Sequence, residues 1–294
     1  MKENTILLYS KPWGMTYELH NHAIADGFEL TTDRSCLDEA VAVVFHMPTL
    51  PREDSILRES RKRKGQLWVF WSMECEVHYQ WQYKPGILDL FDIMATYKLD
   101  SDVPTPYFDC KYPELFRRES APKSQFINAF ISSDFDHSKR IVYLEELMKY
   151  LNVHSYGKLF NNRPIVNDQG RDTKEQYISS YKFSIAFENA IAKDYVTEKF
   201  FDPLVNGSVP VYLGAPNIED FSPADKCYIN VSSFPSVKAL ADYLLELAND
   251  DSQYEEYLKW KKFSLRESFI EKASIFSEPA LVRLCRCIKE KLSR

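Results

Sequence analysis

The sequence predicts an α/β protein with two Rossmann-like halves that face a central cleft. Short apolar runs of strand length alternate with helical or polar segments. Several runs, such as residues 40–45, are apolar throughout, as expected of parallel strands buried on both faces. The alternation stops at a polar stretch, residues 111–125, which we interpret as a linker, and then starts again. A chain of 294 residues also has the length of about two domains.

The first half begins with a series of apolar runs. These runs predict strands at residues 5–9, 40–45 and 67–71, and residues 90–97 continue the alternation. Residues 52–64 predict a helix that ends at Gly65. Four consecutive cations, residues 61–64, fall in its last turn. They either compensate the helix dipole on a solvated face or form a patch for an anionic surface.

The second half repeats the same pattern after the polar stretch. Strands are predicted at residues 126–131, 153–156, 183–187, 208–213 and 228–231. Helices are predicted at residues 137–151, 197–206, 237–247 and 279–291. We therefore expect a first domain at residues 1–118, a second at 119–275, and a separate final helix within 276–294.

Residues 181–214 contain the most informative unit, a strand, a polar loop, a helix and a second strand. Gly207 stands where a glycine commonly ends a helix. In α/β sheets this order gives a right-handed parallel crossover, and ligands bind beyond the carboxyl ends of the strands. A helix start attracts anions, and Lys199 in the first turn adds a positive charge, which indicates a phosphate.

The neighbouring Glu198 would repel a phosphate, so it is better suited to accept hydrogen bonds from hydroxyl groups. A cation for phosphate beside a carboxylate for hydroxyls indicates a sugar nucleotide. The alternative is ordinary: a first-turn glutamate that satisfies the helix dipole, with a solvated lysine next to it. The chain has eight glycines and no glycine-rich phosphate loop, so a helix start and cationic side chains would have to bind the phosphates.

The segment FSIAFENAIAKDYVTEKFFDPLVNGSVPVYLG resembles the donor-binding signature of the α1,3/4-fucosyltransferases, glycosyltransferase family 10. The resemblance extends over most of residues 66–290. It implies the GT-B architecture, in which the second half holds GDP-fucose and the final helix often crosses back to the first half. Pro203 is a local departure that should bend the helix. The donor-binding residues that the resemblance implies are Asn189, Tyr195, Glu198, Lys199, Arg140 and Lys158.

A candidate catalytic base follows a strand of the first half, in LWVFWSMECEVHYQW. This segment resembles the family's apolar strand followed by F-E-S-P, whose glutamate is the proposed base, so the resemblance assigns that role to Glu74. Met73, Cys75 and Glu76 depart from the pattern. Apolar neighbours are expected to raise the pKa of Glu74. Without the resemblance, a surface loop carboxylate would be the simpler interpretation.

Two patterns invite a metal-binding interpretation. Asp100 and Asp102 flank Ser101 in an acidic D-x-D, which elsewhere holds Mn²⁺, but capping or turn formation is the ordinary explanation. His20 and His22 form an H-x-H without a third ligand in view, which favours surface histidines. We expect no metal site and no tightly bound cofactor; Mn²⁺ would at most stimulate the reaction.

The resemblance implies an inverting transfer of L-fucose from GDP-β-L-fucose to an oligosaccharide acceptor. The expected site is O3 of N-acetylglucosamine in an N-acetyllactosamine-type glycan, which gives an α1,3-linked, Lewis-type product. Two alternatives stay open. One is a GT-B glycosyltransferase that uses another GDP-sugar, and the other is a non-catalytic carbohydrate-binding protein of the same fold.

Composition limits the partners and the location. The formal net charge of −6 argues against nucleic-acid binding through a basic surface. The sequence shows no signal peptide and no apolar run near the roughly 20 residues of a membrane helix. The six cysteines fit reduced thiols. The resemblance implies that animal members carry a membrane anchor, so we expect a cytoplasmic enzyme of bacterial type, peripheral to the inner face of the membrane and acting on a lipopolysaccharide or capsule glycan. The alternative is a chain trimmed of such an anchor.

Overall fold

The computed structural model describes residues 4–13, 22–57 and 62–293. The chain divides into two compact units, Met1–Pro106 with Glu278–Arg294, and Tyr107–Ser277. The division lies between Pro106 and Tyr107, whereas the sequence predicts it after residue 118. The polar stretch that we interpreted as a linker therefore lies inside the second unit.

Aromatic side chains explain why that stretch belongs to the second unit. Tyr112 stacks on Phe201 with ring centroids 4.5 Å apart, and Phe116, which is fully buried, contacts Trp260 and Phe269. The free energy gained by burial of such rings outweighs the cost of ordering the polar residues around them. The polar composition of residues 111–125 concealed these contacts.

The first unit contains a sheet of six strands in the order β2-β3-β1-β4-β5-β6. Its strands are β1 (Thr5–Ser10), β2 (His22–Ala23), β3 (Glu29–Thr31), β4 (Ala42–His46), β5 (Leu67–Ser72) and β6 (Ile93–Thr96). Only the pair of β2 and β3 is antiparallel among the described strands of this sheet. A short helix, α1 (Pro85–Leu88), lies between β5 and β6.

The second unit contains a parallel sheet of five strands in the order β11-β10-β9-β7-β8. Its strands are β7 (Gln125–Ala129), β8 (His154–Ser155), β9 (Tyr181–Phe187), β10 (Val209–Leu213) and β11 (Ile229–Asn230). Its helices are α2 (Tyr112–Leu115), α3 (Arg140–Leu147), α4 (Arg171–Ser179), α5 (Glu198–Val205), α6 (Val237–Asn249), α7 (Asp251–Glu256) and α8 (Glu267–Ile275).

The last helix, α9 (Ala280–Leu292), belongs to the first unit. Leu284 and Ile288 share a buried cluster with Ile6 and Val44 of the sheet. Lys291 also donates a hydrogen bond of 2.7 Å from Nζ to the carbonyl of Asp92. The apolar face of α9 therefore covers the first sheet. Of the helices in the described part of the chain, none has the length and apolar character needed to cross a bilayer.

The predicted helix over residues 197–206 is confirmed. Thr197 is its N-cap, Gly207 follows its end with a positive φ of 69°, and the helix itself is α5. Pro203 lies inside it, and the carbonyl of Pro203 accepts a hydrogen bond from Ser208 N at 2.9 Å. The apolar face of this helix is buried, as its sequence spacing predicts.

Other boundaries differ from the prediction. The helix expected at residues 137–151 spans only Arg140–Leu147. It begins late because Lys139 has φ of 62°, a left-handed conformation that a helix interior excludes. Instead of a helix at residues 52–64, the described residues there contain the 3-10 turn Ser55–Leu57, and residues 58–61 lie outside the described part. The sequence did not predict α4, which is polar apart from a few buried positions.

Candidate functional site

The candidate site of the second unit lies where β9 ends and α5 begins. Glu188 and Asn189 follow β9 directly, and Thr197 caps α5. A Cβ at Gly214, after the adjacent β10, would lie 2.4 Å from Tyr212 OH and 2.7 Å from Glu188 Cγ, so a side chain there would displace Glu188. The close packing at the carboxyl end of the sheet therefore fixes the position of Glu188.

The Glu188 carboxylate links the end of the strand to the start of the helix. It is fully buried and accepts hydrogen bonds from Thr197 N at 2.7 Å and Thr197 Oγ1 at 2.8 Å. Burial raises the pKa of Glu188, and the charge of Lys199 opposes this effect. The sequence motif contains Glu188 without indicating a role for it. Its role as a buried acceptor for the helix cap became visible only in the structure.

Lys199 lies among three oxygen atoms at the start of α5. Its Nζ is 3.0 Å from Thr197 Oγ1, 3.1 Å from Glu198 Oε1 and 3.6 Å from Glu188 Oε2. Burial lowers the pKa of Lys199, but the carboxylates of Glu188 and Glu198 outweigh it and hold the pKa above its ordinary value. Lys199 is therefore a cation at neutral pH, at a helix N-terminus that itself favours anions.

Glu198 combines a contact to Lys199 with access to solvent, since 41% of its side chain is exposed. Burial raises its pKa, but the charges of Lys199 and Lys174 outweigh that effect and hold the pKa below its ordinary value. Lys174 of α4 in turn forms an ion pair of 2.7 Å with Asp202. Glu198 is thus an ionised carboxylate able to accept hydrogen bonds from hydroxyl groups. Its link to Lys174 and Asp202 was not predicted, because α4 has little apolar periodicity.

Arg140 is the first residue of α3 and is almost completely buried, 1% exposed. Its Nη1 donates to the carbonyl of Phe187 at 3.2 Å and its Nη2 to that of Ser133 at 2.8 Å. Its Nε has no partner among the described residues. Burial lowers the pKa of Arg140, and the charge of Glu188 opposes this. Bidentate pairing of Arg140 with a diphosphate would require these two carbonyl bonds to be exchanged.

Asn189 and Tyr195 border the same strand end and are both buried. Asn189 Oδ1 has no hydrogen-bond partner in the described part of the chain, and the Asn189 carbonyl accepts from Ser138 N at 3.2 Å. The Tyr195 ring meets Tyr107 edge-on, with centroids 6.1 Å apart. A buried amide oxygen without a partner normally requires a ligand or water. Asn189 Oδ1 is therefore suited to accept a hydrogen bond from a ligand.

Lys158 lies apart from this group and is exposed. It lines a cleft of about 340 Å³ together with Phe130, Tyr156 and Lys174. Phe130 and Tyr156 stack in this cleft with centroids 5.1 Å apart. A smaller pocket is lined by both Lys174 and Lys199, so Lys174 is common to the two places. The structure thus brings Asn189, Tyr195, Glu198, Lys199 and Arg140 together, and places Lys158 in the adjoining cleft.

In the first unit, Glu74 follows β5 and is partly buried. Its amide N donates to Ser72 Oγ at 3.2 Å, and its charge contributes to a raised pKa of Tyr79, second to burial. Glu76, the second carboxylate of the segment, accepts a hydrogen bond from Tyr97 OH and forms an ion pair of 2.9 Å with Lys98. Glu76 is therefore held by Tyr97 and Lys98, and the resemblance still assigns the role of base to Glu74.

The acidic D-x-D forms a turn, as its ordinary interpretation predicts. Asp102 Oδ2 accepts from Met94 N at 2.8 Å, and Ser101 Oγ donates to the carbonyl of Lys98 at 2.8 Å. Asp102 also forms an ion pair of 3.2 Å with Lys291. No group of three potential metal ligands occurs among residues 4–13, 22–57 and 62–293. The H-x-H pattern at His20 and His22 lies outside the described side chains.

Comparison with known families assigns both units. Residues 120–294 match the family model described as glycosyltransferase family 10 (fucosyltransferase) C-term. Residues 1–108 match the one described as fucosyltransferase, N-terminal. The chain belongs to glycosyltransferase family 10, the fucosyltransferases. The resemblance inferred from the residue motifs is confirmed.

Individual relatives of this fucosyltransferase are moderately similar. The 4-galactosyl-N-acetylglucosaminide 3-alpha-L-fucosyltransferase 9 of Mus musculus is 34% identical over 266 residues, which covers 88% of this chain and 72% of the relative. The Homo sapiens protein of the same name gives the same values. A GDP-fucose protein O-fucosyltransferase 3 of Xenopus tropicalis is 34% identical over 235 residues, covering 74% of this chain and 48% of the relative.

Solved structures show the fold. A crystal structure of an alpha1,3-fucosyltransferase aligns with a TM-score of 0.68 at 17% identity, covering 98% of this chain and 90% of that chain. An alpha1,3-fucosyltransferase with GDP-fucose aligns with a TM-score of 0.57 at 18% identity, covering 82% and 78%. This fucosyltransferase therefore has an α/β fold of the GT-B type, as predicted.

Proposed function

We propose that this fucosyltransferase transfers L-fucose from GDP-β-L-fucose to a glycan hydroxyl with inversion at the anomeric carbon. One observation is the main support: Lys199, a cation at a helix N-terminus, lies 3.1 Å from the half-exposed carboxylate of Glu198. This arrangement offers a site for a diphosphate next to an acceptor for hydroxyl groups. A solved relative of the same fold is described as bound to GDP-fucose, which supports the choice of donor.

Different residues around Lys199 and Glu198 bind different parts of GDP-fucose. Lys199 binds the diphosphate and stabilises the charge that grows on it as the glycosidic bond breaks. Glu198, Asn189 and Tyr195 hold the fucose and ribose hydroxyls. Arg140 supports the diphosphate once its carbonyl bonds are exchanged; otherwise it holds the loop around Ser133 in place.

The acceptor must lose a proton as its oxygen attacks the anomeric carbon. We assign this step to Glu74, a partly buried carboxylate at the end of β5. The acceptor oxygen forms a bond to the anomeric carbon, the bond to the GDP oxygen breaks, and the proton passes to the Glu74 carboxylate. Attack on the face opposite the β-linked GDP yields an α-linked product.

The acceptor that we propose is O3 of N-acetylglucosamine in an N-acetyllactosamine-type glycan. The names of the Mus musculus and Homo sapiens relatives, which specify a 4-galactosyl-N-acetylglucosaminide and a 3-alpha linkage, support it. The Xenopus tropicalis relative has the same identity and is named for protein O-fucosylation, so a protein hydroxyl is a second candidate acceptor.

The test is product analysis by mass spectrometry with a matrix of donors and acceptors. Donors are GDP-fucose and GDP-mannose; acceptors are type 1, type 2 and glucose-terminated glycans and a folded protein module. We expect fucose on the type 2 glycan, with the linkage read from fragment ions. Transfer of mannose instead would assign another GDP-sugar, transfer to the protein module would assign the second acceptor, and no transfer with any pair would indicate a non-catalytic carbohydrate-binding protein.

A further inference from the structure

The segment that contains Glu74 is fixed by residues that follow the neighbouring strand. We call residues 73–79 the Glu74 loop; it follows β5, whose Ser72 pairs in register with Thr96 of β6. The residues directly after Thr96 therefore lie beside the Glu74 loop. Two of them, Tyr97 and Lys98, both contact Glu76.

These contacts form a small polar group, the Glu76 cluster, made of Glu76, Tyr97 and Lys98. Tyr97 is fully buried, and its hydroxyl donates to Glu76 and lies 3.7 Å from Cys75 Sγ. Lys98 Nζ lies 2.9 Å from Glu76 Oε1. A buried tyrosine hydroxyl that loses its acceptor is destabilising, so the Tyr97 hydroxyl favours the observed position of Glu76.

Backbone contacts transmit this restraint to Glu74. The Cys75 carbonyl accepts from His78 N at 3.1 Å and the Glu76 carbonyl accepts from Tyr79 N at 3.1 Å, which closes a turn around the Glu76 cluster. On the other side, Ser72 Oγ contacts both the amide N and the carbonyl of Glu74, at 3.2 and 3.3 Å. The backbone of Glu74 is thus restrained on one side by Ser72 and on the other by the turn that contains Glu76.

The sequence gives a reason why this chain needs the Glu76 cluster. Residues 73–76 resemble the motif F-E-S-P, whose proline corresponds to Glu76 of this chain, and proline fixes φ without any partner. A glutamate leaves the backbone more freedom, so the loop requires another restraint. The Glu76 carboxylate, held by residues of the next strand, supplies it.

We propose that the Glu76 cluster orients Glu74 for proton transfer, which makes Tyr97 and Lys98 positioning residues of the reaction. The inference rests on the proposed role of Glu74. It explains how the loop keeps its shape without the proline. A displacement of the base by about 1 Å can reduce the rate about 100-fold, so loss of the cluster should affect turnover strongly.

The charges in the cluster agree with this role. Burial raises the pKa of Glu76, but hydrogen bonds from Tyr97 and Lys98 outweigh it and hold the pKa below its ordinary value. Glu76 therefore stays ionised and paired with Lys98, and does not compete with Glu74 for the proton of the acceptor.

The decisive variant is Lys98→Met, with Lys62→Met as its matched control. Lys62 forms an ion pair with Asp92 in the same unit, at the other end of β6, and its side chain is 29% exposed against 40% for Lys98. We expect Lys98→Met to lower kcat about 10- to 100-fold, with unchanged KM for GDP-fucose and unchanged calorimetric affinity for GDP. Lys98→Arg should restore kcat, since it keeps a cation for Glu76. Lys62→Met should retain full activity.

A second measurement separates the inference from the proposed function. Amide hydrogen exchange of the Glu74 loop should accelerate in Lys98→Met and not in Lys62→Met, whatever the role of Glu74. Faster exchange with unchanged kcat would overturn the positioning role, and so would unchanged exchange. If Glu74→Ala keeps full turnover, the assignment of the base fails instead, independently of how Lys98→Met behaves in exchange.

Discussion

The buried carboxylate of Glu188 accepts both the backbone N–H and the side-chain hydroxyl of Thr197, at 2.7 and 2.8 Å. Thr197 is the N-cap of α5, and its Oγ1 accepts from Lys199 N at 3.4 Å. The residue that begins the helix is therefore itself held by the residue that follows the strand. The position of Lys199, and of any anion bound to it, depends on this pair of bonds.

Removal of one acceptor from that pair should weaken both folding and donor binding. In Glu188→Gln, the side-chain amide presents one oxygen where the carboxylate presented two, so one Thr197 donor loses its acceptor. We expect the free energy of unfolding to fall by about 1–3 kcal/mol in urea titrations, with weaker GDP binding by calorimetry. Glu145→Gln, which changes an exposed carboxylate of α3, is the control and should change neither quantity. Equal GDP affinity in wild type and Glu188→Gln would show that donor binding does not depend on the bonds between Glu188 and Thr197.

Loss of the cation at the start of α5 should weaken GDP binding directly. Charge-assisted bonds contribute about 1.5–3 kcal/mol, so Lys199→Met should raise the calorimetric Kd for GDP roughly 10- to 100-fold. Lys199→Arg keeps the charge beside Glu188, so its Kd for GDP should rise less than that of Lys199→Met. Lys149→Met, which removes an exposed cation just after the end of α3, serves as the control. An unchanged Kd in Lys199→Met would show that the diphosphate binds elsewhere.

Replacement of the proposed base should separate chemistry from donor binding. Glu74→Ala removes the proton acceptor and leaves the second unit intact, so transfer should fall about 10²- to 10⁴-fold while GDP affinity stays the same. Single-turnover kinetics with GDP-fucose and a type 2 glycan measure the first quantity, and calorimetry the second. Glu53→Gln, an exposed carboxylate of the same unit, should transfer at the wild-type rate. Parallel losses of transfer and GDP affinity would remove Glu74 from the role.

The sequence predicted those parts of the site that depend on local pattern. Thr197, the apolar face of α5 and Gly207 are signals within ten residues of each other, and they located the helix and Lys199 correctly. The bonds of Arg140 to Phe187 and Ser133 could not be predicted in this way. They depend on how a loop after one strand meets the end of another, which residue spacing does not encode.

The same reasoning explains two further omissions. Lys174 lies on α4, whose polar sequence gave no helix signal, yet its ion pair with Asp202 connects that helix to α5 across 28 positions of the chain. In the sequence, Glu76 was only a departure from the family pattern, two residues after Glu74. The structure pairs it with residues that follow a different strand. Long-range pairing of polar side chains was the information that local patterns lacked.

Buried His46 should make the stability of the protein depend on pH in the acidic range. His46 is 6% exposed, and burial lowers its pKa to about 4. Between that value and the ordinary 6.5, the unfolded chain binds a proton that the folded chain does not. The contribution of His46 to stability is therefore complete above about pH 6.5 and decreases as the pH falls toward about 4.

The measurement is urea unfolding of wild type and His46→Gln at about pH 7 and about pH 5. Glutamine does not titrate, so the variant should lose less stability than wild type between the two conditions. His154→Gln, which replaces a more exposed histidine of the second unit, should change the pH dependence less. Identical pH dependence in wild type and His46→Gln would mean that His46 is not held neutral.

Gly157 of the second unit and Gly86 of the first unit differ in the space available for a side chain, so alanine at the two positions should have opposite effects on stability. A Cβ at Gly157, in the cleft that contains Lys158, would lie 2.1 Å from the carbonyl oxygen and 2.3 Å from the amide nitrogen of Ile131, so the backbone after β7 would have to move. A Cβ at Gly86, in α1 of the first unit, would meet no atom within 4 Å. We expect Gly157→Ala to destabilise the protein by at least about 2 kcal/mol and to weaken GDP binding. Gly86→Ala should instead stabilise it by about 0.5–1 kcal/mol, because alanine restricts the unfolded chain and favours a helix. Thermal unfolding measures both changes, and equal Tm values for the two variants would contradict the close approach of residue 157 to Ile131.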